Sequence, residues 1–175
     1  MQATEPALRP SFKFSDSATC RLPPAVLFDL LADITERQKW DSCPPYVKAE
    51  PIMARPGAAL GGARYTASGT VRGIPFEAEA VVIMADRPYR YATRSVTRFA
   101  RALPTATALE EYRMLPEGTG SLVHYSVEIT KHPGTGHWLT RTVNALLEPL
   151  LGKRALRKNF RDVLLNAERH VGVVT

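Results

Sequence analysis

A chain of 175 residues, 45% hydrophobic and 23% charged, buries one core without disulfide or metal staples and is neither disordered, fibrous nor membrane-embedded. The net charge is +6, with much of the excess in Lys153, Arg154, Arg157, Lys158, Arg161 and Arg169. No helix-turn-helix, zinc-finger or RNP pattern accompanies it, so the charge reads as a solvated helix face and nucleic acid is not an expected partner.

Residues 1–11 hold two prolines, Pro6 and Pro10, and little periodicity, and read as a leader. They lack the basic start and apolar run of a signal peptide, and no apolar stretch is long enough for stable membrane insertion. The expected location is therefore cytoplasmic, with Cys20 and Cys43 as reduced thiols.

Phe12–Arg21 alternates loosely and predicts a first strand. Pro23-Pro24 ends it, and Pro24 suits the first turn of a helix, where its missing N–H costs nothing. Val26, Leu27, Leu30, Leu31 and Ile34 recur at helical spacing, predicting an amphipathic helix through about Ala32. Asp33 or Thr35 then caps a short second helix leading to Trp40, and Pro44-Pro45 prevents its continuation.

From Tyr46 to Thr130 the punctuation is that of an antiparallel meander. The segments Tyr46–Ile52, Ala63–Val71, Phe76–Met84, Tyr89–Val96, Thr105–Met114 and Ser121–Thr130 are separated by Gly- and Pro-containing turns. Alternation assigns their faces. Glu77 and Glu79 point to water, which turns Phe76, Ala78, Ala80 and Val82 inward. Arg90 and Arg94 point out, leaving Tyr91, Thr93 and Ser95 inside. Val123, Tyr125, Val127 and Ile129 share one face, with His124 and Glu128 opposite. Tyr112 and Met114 form a buried set, and that phase takes Glu110 inward too.

After a Pro/Gly loop, Leu139, Val143, Leu146, Leu147, Leu150 and Leu151 begin an apolar stripe at three- and four-residue spacing. It continues as Leu156, Phe160, Val163, Leu164, Ala167 and Val171, with a kink expected near Pro149 and Gly152. The order is strand, helix pair, six strands and long helix, an α+β arrangement covering residues 12–171 as a single domain, with 172–175 as a tail.

In this order the chain resembles the START-like, helix-grip (SRPBCC) superfamily and its polyketide cyclase/dehydrase group. Pro23–Asp33 looks like the family's first helix, and Trp40-Asp41 stands where many members close the helix pair with tryptophan. Tyr112–Ser121 resembles the penultimate hairpin, and Leu156–Phe160 with Val163-Leu164 the closing helix. The resemblance implies a seven-stranded curved antiparallel sheet wrapped around the C-terminal helix, with a cavity between them that binds a hydrophobic small molecule. A strongly bent sheet cannot touch a straight helix along its whole length, and small inward residues (Ala67, Gly69, Ala78, Ala80, Ala108) leave the gap unfilled.

The expected cavity lining is Tyr65, Ala67, Phe76, Ala78, Ala80, Tyr91, Thr93, Ala108, Glu110, Tyr112, Val123, Tyr125, Leu156 and Phe160. Within it, Glu110, Tyr125 and Tyr91 are the acid–base candidates. A carboxyl group in an apolar cavity exchanges a proton nearer neutrality, and phenols stabilise a substrate oxygen. Glu110 could instead pair with an arginine. No nucleophile elbow, phosphate loop or zinc motif is present, and His132 with His137 make an incomplete metal site, so neither metal nor cofactor is expected. Two readings result: a carrier or sensor for a lipid, quinone or polyketide-like molecule, or a cofactor-independent cyclase or dehydratase. If a substrate arrives on an acidic acyl carrier protein, the basic C-terminal helix offers a complementary surface.

Overall fold

The computed structural model describes residues 12–41, 48–51, 61–71, 74–100, 105–131 and 152–174. Expectations for Cys43, Tyr46, His132, His137 and the stripe from Leu139 to Leu151 lie outside them. Strands β1 (Phe12–Cys20), β2 (Lys48–Pro51), β3 (Arg64–Val71), β4 (Ile74–Asp86), β5 (Arg90–Phe99), β6 (Ala106–Glu117) and β7 (Gly120–Lys131) form one sheet. Its order is β1-β7-β6-β5-β4-β3-β2, and every pairing is antiparallel. Six of the strands are long, and β2 is a four-residue strip at one end. Chain neighbours pair directly except β1, which crosses to β7 after the helices intervene.

Helix α1 (Pro24–Ala32) starts with Pro24 in its first turn and buries Leu27, Phe28, Leu31 and Ala32. Asp33 resolves the capping alternative: its Oδ1 accepts the Glu36 N–H at 3.1 Å and opens α2 (Ile34–Trp40). The closing helix α3 (Lys153–Val171) buries Leu156, Phe160, Val163, Leu164 and Ala167, an apolar stripe at three- and four-residue spacing. Gly152 serves as its N-cap, and Gly172, in the left-handed region at φ 79°, closes it by donating to Arg169 and Glu168 carbonyls.

Four expectations need correction. Val171 is 45% exposed and does not extend the stripe, because the helix ends there and has passed beyond the sheet's cover. Ile74-Pro75 belongs to β4 and not to a turn, pairing with Val71 and Thr70. Tyr89 lies in the β4–β5 turn, and β5 runs on to Phe99, through residues that lack clear alternation. In β4 a bulge between Val82 and Met84 sets Ile83 outside the pairing, 43% exposed, and reverses the face of the residues beyond it.

One continuous core joins α1, α2, α3 and the sheet's concave face. It contains Phe14, Leu22, Leu27, Leu31, Trp40, Tyr91, Tyr112, Met114, Val123, Tyr125 and Phe160. Fully burying one such leucine contributes about 1.5–3 kcal/mol. Near the β1–α1 junction, buried polar groups are paired: Ser121 donates to the Leu22 carbonyl at 2.5 Å, and Glu168 of α3 accepts the Arg21 N–H at 2.6 Å. Burial, with Glu168 alongside, raises the neighbouring Cys20 thiol to about 11. Arg157 of α3 also reaches Asp16 of β1 at 3.0 Å. These bonds tie α3 and the β1–α1 junction to one edge of the sheet.

Candidate functional site

Strand register sorts the concave face into rows. Tyr91 pairs with Tyr112 and Tyr112 with Tyr125, a row of three phenols across β5, β6 and β7. The next row carries Val82, Thr93, Glu110 and Val127. Beyond it come Tyr65, Ala80, Ser95, Ala108 and Ile129, then Ala67, Ala78, Thr97 and Ala106. Large rings therefore meet the helices at one end, a polar row follows, and small side chains cover β3–β6 beyond it. Ala67, Ala78 and Ala80 are buried yet stand outside the continuous core.

The phenol row packs firmly against α3. Tyr125 stacks on Phe160 at 5.1 Å and an 11° interplanar angle, and Tyr112 lies 4.9 Å from Tyr125 and 6.4 Å from Phe160. Such pairs contribute about 0.5–1.5 kcal/mol beyond burial. Tyr112, Val123, Tyr125, Leu156 and Phe160 are thus packed core, forming a wall that bounds the small-residue rows. Phe76 is half-buried at the far end of β4, its ring 6.2 Å from Phe99. It keeps the inward face of Ala78 and Ala80, as expected, but is only partly covered at the sheet end.

Glu110 does face inward. Its Oε1 accepts the Tyr125 hydroxyl at 2.7 Å and the Tyr112 hydroxyl at 3.4 Å, so two phenols of the neighbouring row hold one carboxyl oxygen. The arginine in its field is Arg37 of α2, whose Nε bonds Asp41 Oδ2 at 2.8 Å and whose guanidinium sits 6.0 Å over the Tyr112 ring. Arg37 acts electrostatically on Tyr65, Tyr91, Tyr112 and Glu110. Sequence reasoning missed Arg37 and Asp41. Their opposite charges at i,i+4 on a helix ending at Trp40 were the available signal.

Electrostatics keep these phenols protonated. Burial raises Tyr125 and Tyr112 well above the ordinary phenol value, with the Glu110 charge acting in the same direction. Burial also raises Tyr91, then its neighbour Tyr65, while Tyr65 is itself raised by burial and bonded to Thr93. Burial works against the Arg37 charge, but Tyr112, Asp41, Glu110 and Tyr65 together outweigh it and hold the guanidinium well above its ordinary value. The cluster is a set of fixed hydrogen-bond donors around one acceptor pair. Among the described residues, the buried Tyr91 hydroxyl has no hydrogen-bond partner.

An open groove of about 740 Å³ crosses β1, β7 and β6, lined by Ser15, Ser17, Arg113, Leu115, His124 and Ser126 among others. These alternate with the concave set, so the groove belongs to the sheet's solvent side and shares Tyr125 alone with the cluster above. Among the described residues no three His, Cys, Asp or Glu side chains group as metal ligands, and no helix is long and apolar enough to cross a membrane. On α3, Lys158 pairs with Asp162 and Arg157 with Asp16, while Lys153, Arg154, Arg161 and Arg169 are exposed.

A curved antiparallel sheet closed by a C-terminal helix, with the polar and small residues of its concave face turned toward the helices, defines a helix-grip domain. The sequence matches the polyketide cyclase/dehydrase and lipid transport family over residues 11–172, and the chain belongs to that family. Among solved structures, ginseng (Panax ginseng) major latex-like protein 151 superposes with a TM-score of 0.64 at 11% identity, covering 93% of this chain and 98% of that one. An uncharacterised protein from Rhizobium leguminosarum gives 0.62 at 11% identity, covering 91% and 99%. A protein from Thermus thermophilus gives 0.59 at 13%, also covering 91% and 99%. At these identities the likeness is one of fold. A search of curated proteins finds no sequence match.

Proposed function

We propose that this domain holds a small hydrophobic molecule (a lipid, quinone or polyketide-like metabolite) between the concave sheet and α3. The observation that carries the reading is the row pattern: Ala67, Ala78, Ala80, Ser95 and Ala108 bring little volume to a face that carries the large rings of Tyr91, Tyr112 and Tyr125 beyond the polar row. A concave apolar surface with a few convergent polar groups is the usual form of a small-molecule site. Tyr65, Ala67, Ala78, Ala80, Tyr91, Thr93, Ala108 and Glu110 are its proposed lining, bounded by Tyr112, Val123, Tyr125, Leu156 and Phe160, with Phe76 toward the sheet end. Mass spectrometry of protein purified under native conditions tests this by detecting a retained ligand. Ala80→Phe and Ala108→Phe fill the same row and abolish retention while circular dichroism stays native. A ligand retained at wild-type level by both variants overturns the placement.

A second reading, a cyclase or dehydratase, is favoured by one specific geometry. Glu110 is gripped by Tyr125 at 2.7 Å, which orients a base while phenols beside it stabilise a developing enolate oxygen. Glu110 takes a proton next to a substrate carbonyl and returns it on dehydration or ring closure, with Tyr125 holding the carboxyl and Tyr91 donating to the oxygen. Turnover of polyketide substrates by wild type and unchanged turnover by Glu110→Gln removes that residue from the reaction. Delivery by an acidic acyl carrier protein fits the exposed Lys153, Arg154, Arg161 and Arg169. Binding that survives 0.5 M salt, where exposed charges are screened, argues against it.

A further inference from the structure

Tyr91 combines two features that rarely occur together. It is 1% exposed, and its hydroxyl lacks a hydrogen-bond partner among the described residues. Leaving a buried donor unpaired costs about 1–3 kcal/mol, a cost normally offset by a water or a ligand. Its ring is fixed, edge-on to Phe28 of α1 at 6.0 Å, and its row neighbour Tyr112 is already engaged with Glu110. Thr93, two residues on and buried, is bonded to Tyr65. Nearby phenols thus have partners, and Tyr91 is the donor held in reserve. The other unpartnered buried donor among the described residues, Trp40 Nε1, belongs to a ring stacked on His170 near the C-terminal end of α3 at 6.3 Å.

The group that suits this donor is set by charge. The guanidinium that acts on Tyr91, Arg37, is already bonded to Asp41 at 2.8 Å, so a ligand carboxylate would lose its hydration in a buried site beside a cation that is engaged elsewhere. A neutral carbonyl oxygen incurs no such cost and accepts from a phenol that burial keeps protonated. We infer that Tyr91 anchors the ligand by donating a hydrogen bond to a neutral carbonyl, as found in ketones, quinones and esters, beside Arg37 and next to the Thr93–Glu110 row. This rests on the binding reading and adds the chemical class of the ligand's polar end.

The test compares three eleven-carbon probes, 2-undecanone, undecanoic acid and undecane, for binding to wild type, Tyr91→Phe and Tyr89→Phe, by isothermal titration. Tyr89 is an exposed turn phenol and serves as the control. Expected is a wild-type preference for the ketone. A single neutral hydrogen bond then makes Tyr91→Phe weaken ketone binding by roughly three- to ten-fold. Undecane is unaffected, and Tyr89→Phe matches wild type. The infrared carbonyl band of bound, ¹³C-labelled ketone shifts to lower frequency in wild type and returns in Tyr91→Phe, which a purely structural role would not produce. Equal ketone affinity and an unmoved band in Tyr91→Phe overturn the inference while leaving binding intact. Preference for the acid overturns the choice of a neutral carbonyl. Failure of all three probes to bind wild type sinks this inference together with the binding reading.

Discussion

Raising the pH above 10 interrogates the phenol row directly. Tyr91, Tyr112 and Tyr125 are all raised by burial, the last two also by the Glu110 charge, and are 1%, 2% and 6% exposed. In the unfolded chain each ionises near its ordinary value of about 10. The sign is then fixed: above that pH the unfolded state has lost protons the folded state keeps, so stability falls as pH rises toward the folded values. Each phenol contributes a slope of about 1.4 kcal/mol per pH unit, and three together about 4 kcal/mol per unit. A domain with a typical stability of about 5 kcal/mol therefore unfolds little more than one unit above pH 10.

Urea midpoints by circular dichroism from pH 9 to 11.5 measure the slope, and absorbance at 295 nm follows phenol ionisation. The row's absorbance change should arrive with the loss of fold. Tyr91→Phe should reduce the slope by about 1.4 kcal/mol per pH unit without lowering stability at pH 7, because its hydroxyl makes no bond to lose. Ionisation of these phenols near pH 10 with circular dichroism unchanged would refute the burial on which the site rests.

Three further outcomes rest on named contacts. A Cβ at Gly120 would lie 2.2 Å from the Cys20 carbonyl oxygen and 3.1 Å from Arg21 Cα, so Gly120→Ala forces backbone apart. Overpacking of this kind costs about 1–3 kcal/mol, and Tm by thermal circular dichroism falls by roughly 2–4 °C for each. Cys20 is buried with its thiol raised to about 11, so in a Cys43→Ser background Ellman's reagent at pH 8 labels it only after unfolding in guanidinium. Arg37→Met removes the 2.8 Å ion pair of the mostly buried Asp41 and lowers stability in urea unfolding by up to about 3–5 kcal/mol. Arg37→Met with Asp41→Leu recovers part of that loss.

Much of the scaffold was legible in periodicity. Alternation placed Ala78, Ala80, Tyr91, Thr93, Tyr112, Val123 and Tyr125 on the buried side, and all are buried. The inward face of Glu110 follows from Tyr112 and Met114, which share its strand face and are both buried. The errors fell at strand ends and at the bulge. A Pro-containing strand start such as Ile74-Pro75 carries the same local signature as a turn, and a bulge at Ile83 breaks the two-residue period without a residue that announces it.

What the sequence alone determined was local: which segments are strands or helices, and which face of each is apolar, because side-chain direction repeats with the backbone every two or 3.6 residues. The site was decided by tertiary structure. Register alone set Tyr112 opposite Tyr125 and so carried both hydroxyls to Glu110, and the approach of α2 alone brought Arg37 over that row. No period encodes a meeting between residue 37 and residue 112. It exists because a bent sheet and the helices packed inside it leave those side chains no other shared space.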